Sequence, residues 1–131
     1  VKLLICCDSE IVLQLAAAAL AGGGHEVAAE REPSALVPHA SSATVLLVDA
    51  ARARTAPALL RDRGFHGRTL LVGDAAPDEL ARKAAEAGLD GAVPASPPED
   101  LPARVSATLE RRRKVLIVDD SEIVARLLAE E

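Results

Sequence analysis

Short apolar runs and helical periods alternate along the chain from its first residues. Residues 3–7 are an apolar run of strand length, closed by Asp8. Ser9 is placed to cap a helix over 10–21, in which Ile11, Leu15 and Ala18 share one face. Gly22, Gly23 and Gly24 end that helix, and 25–29 read as a weak second strand. Residues 33–40 predict a poor helix, interrupted by Pro38. Residues 44–48 are apolar and β-branched, a strand that ends at Asp49. A helix around 54–62, a turn at 64–67 and a strand at 69–72 follow. Residues 77–87 are a clear helix, with Asp74 before it as a cap and Gly88 as its stop. Residues 91–94 make a short fifth strand. Ser96, Pro97, Pro98 and Glu99 have the pattern of a capping box, and open a helix over 101–112 whose buried stripe is Leu101, Val105 and Leu109.

Strand and helix therefore alternate five times. The strands are apolar without strict alternation, which implies burial on both faces and a parallel sheet between two helix layers. Such sheets carry their chemistry at the carboxyl ends of the strands. Asp8, Asp49, residues 72–74 and residues 94–96 all fall there.

The opening strand and helix return near the end of the chain. Residues 2–19 align without a gap on 114–131, with ten of eighteen positions identical and an offset of 112. That offset is the length of a whole small domain rather than a solenoid repeat. The chain reads as a domain over 1–112 followed by 113–131, the first strand (115–118) and first helix of a second, truncated copy. It begins at Val1 and stops inside an apparent helix, as a piece of a longer protein would. The first copy has Cys7-Asp8 where the second has Asp119-Asp120.

Composition narrows the function classes. Phe65 is the only aromatic residue, so packing rests on Leu, Val, Ile and Ala. A net charge of −5 argues against a nucleic-acid surface. The run Arg111, Arg112, Arg113, Lys114 reads as a solvated helix end. No signal peptide or membrane span is visible. Cys6 and Cys7 are adjacent in a strand and point to opposite faces, which suits neither a redox pair nor a zinc site, and they read as buried cytosolic thiols. His25, His39 and His66 stand in separate loops without metal-ligand spacing. The three glycines at 22–24 follow a helix, not a strand, and are a turn rather than a phosphate-binding loop. No nucleophile has an adjacent base, so no enzyme is expected.

The stretch KVLIVDDSE resembles the start of a response-regulator receiver domain, and residues 1–112 resemble a complete receiver. The resemblance implies a flavodoxin-like (βα)5 fold, a doubly wound parallel sheet of strand order 2-1-3-4-5. It also implies a pocket in which two acidic residues after the first strand and an aspartate after the third hold Mg²⁺. That third-strand aspartate takes a phosphoryl group from a histidine kinase. A Thr or Ser after the fourth strand and a Lys after the fifth contact the phosphoryl oxygens. Carried onto this chain, Asp49 stands at the phosphoacceptor position, and Asp8 with Asp49 at the metal position. Cys7 replaces the other acidic residue. Val72 or Gly73 occupies the hydroxyl position, Ala92 that of a switch aromatic, and Ala95 or Ser96 that of the lysine. Asp119 and Asp120 are the intact acidic pair of the second copy.

These losses have a physical consequence. A phosphoryl group brings about −1.5 to −2 charges. Without a lysine, each unit of repulsion against Asp8 at about 4 Å costs on the order of 4 kcal/mol at an effective dielectric near 20. Arg52 and Arg54 are expected on a solvated helix face, with a swing into the pocket as the alternative. Asp49 and Asp8 also have a plainer reading, as helix-capping residues. The first domain is thus expected to be a degenerate pseudo-receiver: a cytoplasmic, phosphorylation-independent interaction module that binds a protein partner or the second receiver, with Mg²⁺ weakly held or absent. Two other readings compete: an active phosphoacceptor modified on Asp49, and an unrelated flavodoxin-like small-molecule-binding domain, which the repeat argues against. A homodimer is expected through 77–87, 91–94 and 101–112.

Overall fold

The computed structural model describes residues 2–118, and side chains through residue 109. Five strands form one parallel sheet in the order β2-β1-β3-β4-β5. They are β1 (Lys2–Cys6), β2 (Glu26–Glu30), β3 (Val45–Val48), β4 (Arg68–Gly73) and β5 (Gly91–Pro94). The α-helices are α1 (Glu10–Gly22), α2 (Thr55–Asp62), α3 (Pro77–Glu86) and α4 (Leu101–Val118). Between β2 and β3 the chain makes a 3₁₀ helix, Pro33–Ser42, in the place of the poor helix expected there. Pro38 lies inside it and has no amide to donate, which accounts for the missing α-helical ladder.

β1 and β3 are the central strands, and every residue of Val45–Val48 is buried. Alternate side chains feed two separate cores. Leu4, Cys6, Leu46 and Val48 pack with Leu36, Leu60, Phe65 and Leu80 on one side. Leu3, Ile5, Cys7, Val45 and Leu47 pack with Leu13, Leu20, Leu101 and Val105 on the other. The layers are thus the 3₁₀ segment, α2 and α3 against α1 and α4, the doubly wound arrangement that apolar strands predict. Cys6 and Cys7 do lie on opposite faces, both free. Gly67 is required by close approach: a Cβ there would overlap the Thr44 carbonyl, which accepts the Arg68 N–H at 3.0 Å. Thr69, near the start of β4, is fully buried, and its hydroxyl has no hydrogen-bond partner among the described residues.

Several local expectations need correction. In α1 the stripe Ile11, Leu15 and Ala18 faces solvent, while Leu13, Ala16 and Leu20 are buried. The helix is apolar nearly all round, so its period does not fix its rotation. The short link from β1 and the Ser9 cap, whose hydroxyl accepts the Val12 N–H at 3.4 Å, set the phase instead. Ser96 does not cap the last helix. Its hydroxyl reaches Asp74 at 3.4 Å, and the chain makes a 3₁₀ turn, Pro98–Asp100, before α4 begins. Asp74 in turn does not cap α3, which starts from Ala76 without a side-chain cap.

The strand expected at 115–118 is helical: α4 runs on to Val118. A strand needs a ladder partner, whereas a helix already formed extends by one bond per residue, and Arg111 to Leu116 are good helix formers apart from Val115. Asp119, Asp120 and the rest of the second copy lie outside the described residues.

Phe65 is fully buried in the first core, and its amide donates to the Leu60 carbonyl at 2.9 Å. Phe65→Ala is expected to lower the unfolding free energy by about 3–5 kcal/mol through the cavity it leaves. Urea denaturation followed by circular dichroism would measure it as a lower midpoint at unchanged slope.

Candidate functional site

The carboxyl ends of β1, β3 and β4 bring the expected residues together. Asp49 follows the last residue of β3, and its carboxylate turns towards the link between β1 and α1. Its Oδ2 accepts the Asp8 N–H at 2.8 Å and the Ser9 N–H at 3.4 Å. Its Oδ1 accepts the Arg52 N–H at 3.1 Å. Unpaired amides near a helix start are natural partners for a carboxylate. Asp49 therefore acts as a clamp between two loops as well as a cap for its own turn.

Asp8 faces outward and is held by two arginines. Its Oδ1 accepts from Arg52 at 3.2 Å and from Arg31 at 3.5 Å. Arg31 also donates from Nε to the Asp8 carbonyl at 2.9 Å. Arg52 donates from Nε to the Arg31 carbonyl at 2.8 Å and pairs with Glu32 at 3.3 Å. One guanidinium thus links the loops after β1, β2 and β3. The expectation of a solvated Arg52 is corrected: its side chain is only 21% exposed, and it pairs with Asp8, the carboxylate that the resemblance places at the metal position. Arg31 and Glu32 were invisible to sequence reasoning, because nothing in the β2 segment marks its end as adjacent to Asp8. The pairs are weak individually. Asp8 is 52% exposed, and exposed ion pairs contribute about 0–1 kcal/mol each. Their effect is to fix geometry.

On the other side of Asp49 lies a cavity of about 300 Å³, whose lining includes Val72, Gly73, Asp74, Leu80 and Lys83. Val72 is buried in the second core, and its side chain carries no oxygen. Ala92 is partly buried against the first core, and Ala95 against the second. Ser96 is exposed. None of these supplies a cation or a switching aromatic. Lys83, one turn after Glu79 on α3, is the cation that lines this cavity, and its ammonium pairs with Glu79 at 3.2 Å. Its helical phase relative to Leu80 and Ala84, both buried, was the available signal for it.

Cys7 is fully buried beside Asp49. Burial first, and then the Asp49 charge, push its thiol up to about 12, so it is neutral at pH 7. Burial likewise raises Cys6 to about 11, with Arg52 opposing. The donor set does not fit Mg²⁺. A hard divalent ion needs several free oxygens, and here both Asp49 oxygens accept backbone amides, Asp8 carries two guanidinium groups, and Cys7 is a protonated thiol. Among the described residues no cluster of three or more His, Cys, Asp or Glu is arranged to hold a metal.

No protein-family model matches the sequence. No curated protein matches it either. Solved structures do. A response regulator from Thermotoga maritima superposes with a TM-score of 0.58 at 17% identity, over 83% of this chain and 97% of the other. The beryllofluoride-activated DrrB receiver domain gives 0.58 at 23% identity, over 84% and 97%. A putative pilus assembly protein, CpaE, from Burkholderia thailandensis gives 0.59 at 16% identity, over 87% and 98%. The fold is that of response-regulator receiver domains. The receiver fold also has the strand order found here, with β1 and β3 flanking the point where the order reverses. Among the described residues no helix is long and apolar enough to cross a membrane.

The thiols carry a pH prediction. Both are raised above the ordinary 9.0, so their contribution to stability is complete below about pH 8.5 and is lost as pH rises towards 11 to 12. Alkylation by iodoacetamide at pH 8 is expected to be slow in the folded protein and fast in urea. Mass spectrometry showing both cysteines modified within minutes without denaturant would contradict this burial.

Proposed function

We propose that residues 1–112 are a pseudo-receiver: an interaction module of two-component signalling that works without phosphorylation, within a protein whose second receiver begins near residue 113. The observation that carries this reading is the double engagement of the acidic site. Arg52 occupies Asp8, and both oxygens of Asp49 are bound to backbone amides. An incoming phosphoryl group would have to break the amide clamp, and Mg²⁺ would have to displace two guanidinium groups with one carboxylate fewer than the pocket needs. The ion pairs alone are too weak to forbid this. The missing oxygen at Cys7 and the absence of a hydroxyl at Val72 and Gly73 supply the rest. A phosphoryl group would also find no differential contact with a second conformation, and so would shift no equilibrium. The partner in this reading is a protein, with the second receiver the nearest candidate by sequence, and a histidine kinase is not required. The face formed by α3, β5 and α4, where the receiver resemblance suggests a dimer, is in this reading the surface offered to that protein partner.

A second reading has one observation in its favour. Lys83 lines the same cavity as Asp49, so a cation from α3 stands on the side where a phosphoryl group would be placed. In that reading Asp49 is an active phosphoacceptor and Lys83 replaces the lysine lost after β5.

Two measurements separate these readings. Incubation with acetyl phosphate and Mg²⁺ is expected to leave the intact mass unchanged, and beryllofluoride to leave the amide spectrum of the β3–α2 loop unmoved. Stoichiometric modification of Asp49 would establish the second reading. Stability gives an independent sign. In a pocket of repelling carboxylates, removing the acceptor aspartate stabilises the fold. Here Asp49→Ala is expected to destabilise it by about 1–3 kcal/mol, because the Asp8 and Arg52 amides lose their acceptor.

A further inference from the structure

The two exposed large hydrophobic residues among those described stand next to each other. Ile11 is 72% exposed and Leu15 50%, one helical turn apart on the outer face of α1. Single exposed apolar residues are ordinary. This pair continues into a stripe with Ala18 and Gly22, both exposed, and no charged side chain interrupts it. Glu10 is the only charged residue of α1, and its carboxylate accepts from Gln14 at 2.7 Å. The stripe grades from bulky at its start to small at its end. A Cβ added at Gly22 would meet nothing within 4 Å.

We propose that this stripe is a self-association surface, pairing antiparallel with the same stripe of a second copy of the chain. An isologous contact requires a patch that complements itself across a two-fold axis. The size gradient does so. With the axis between Leu15 and Ala18, Ile11 lies over Gly22 of the other copy and Leu15 over its Ala18. Large side chains then fill the space left by small ones at every step. The two Glu10 carboxylates lie at opposite ends, roughly 20 Å apart by helical rise, beyond the Debye length of about 8 Å.

The repeat within the chain supplies an independent observation. Ile11 and Leu15 recur unchanged as Ile123 and Leu127. The buried Leu13 and Ala16, by contrast, appear as Ala125 and Leu128, the same two side chains in exchanged order. The core positions have traded volume, while the exposed apolar pair has been kept. The small end is not repeated, because Ala18 aligns with Glu130. The matching partner is therefore α1 of another copy rather than segment 119–131. A single helix seam buries less than the roughly 1,200 Å² of a stable interface, so the dimer is weak and in rapid exchange. This inference does not depend on whether Asp49 is phosphorylated.

Sedimentation velocity of the full chain over a concentration series tests it. The weight-average coefficient is expected to rise with concentration, and Leu15→Glu to abolish the rise while circular dichroism stays unchanged. Ala18→Leu is the sharper variant. It adds apolar surface, so mere stickiness would tighten association, whereas a size-matched seam is overfilled and loosens by roughly tenfold or more. Arg82→Glu on the exposed face of α3 is expected to change nothing. A chain that stays monomeric at the highest concentration, tightening by Ala18→Leu, or dissociation by Arg82→Glu with Leu15→Glu inert would each overturn the proposal.

Discussion

Burial of both faces of the central strands is the constraint from which the rest follows. β1 and β3 have no solvent side, so their side chains are committed to one core or the other. Polar groups are excluded from the sheet interior and collect at the strand ends. That is why Asp8 and Asp49 meet although they are far apart in sequence. It is also why the residue before Asp8 has such a narrow choice. Cys7 is fully buried, and a carboxylate at that depth needs compensating charge or hydrogen bonds. A thiol needs neither.

With a thiol rather than a carboxylate before it, Asp8 takes its compensating charge from two arginines, which reach it from the loops after β2 and β3. Asp49 turns to the amides at the start of α1. Each contact is modest, yet together they close three loops around one point. A divalent ion does similar work elsewhere with a larger charge and a reversible occupancy. Side chains tethered to the backbone make the closure permanent.

Much of this was legible in the sequence, and the failures have physical causes. The strand runs, the Gly88 stop and the Ser9 cap announced themselves because strand burial and turn chemistry are local properties. The positions of Asp49, Asp8, Cys7 and Val72 at strand ends followed from the same alternation. The rotation of α1 did not, since a helix of Leu, Ile, Val and Ala presents apolar residues in every direction. Arg52 was misjudged because its partners come from three loops, and no sequence spacing encodes their convergence. Ser96 and Asp74 each had the composition of a cap, but they found each other at 3.4 Å across two loops instead. Residues 115–118 carry a strand composition that a preceding helix overrides.

The arrangement of the two cysteines has a consequence for chemistry in the cell. They are the only sulfur atoms in the chain, they are neighbours in sequence, and the sheet lies between them. A bond joining them would have to pass through the strand that carries both. Within the described fold, oxidants therefore find no intramolecular dithiol to close.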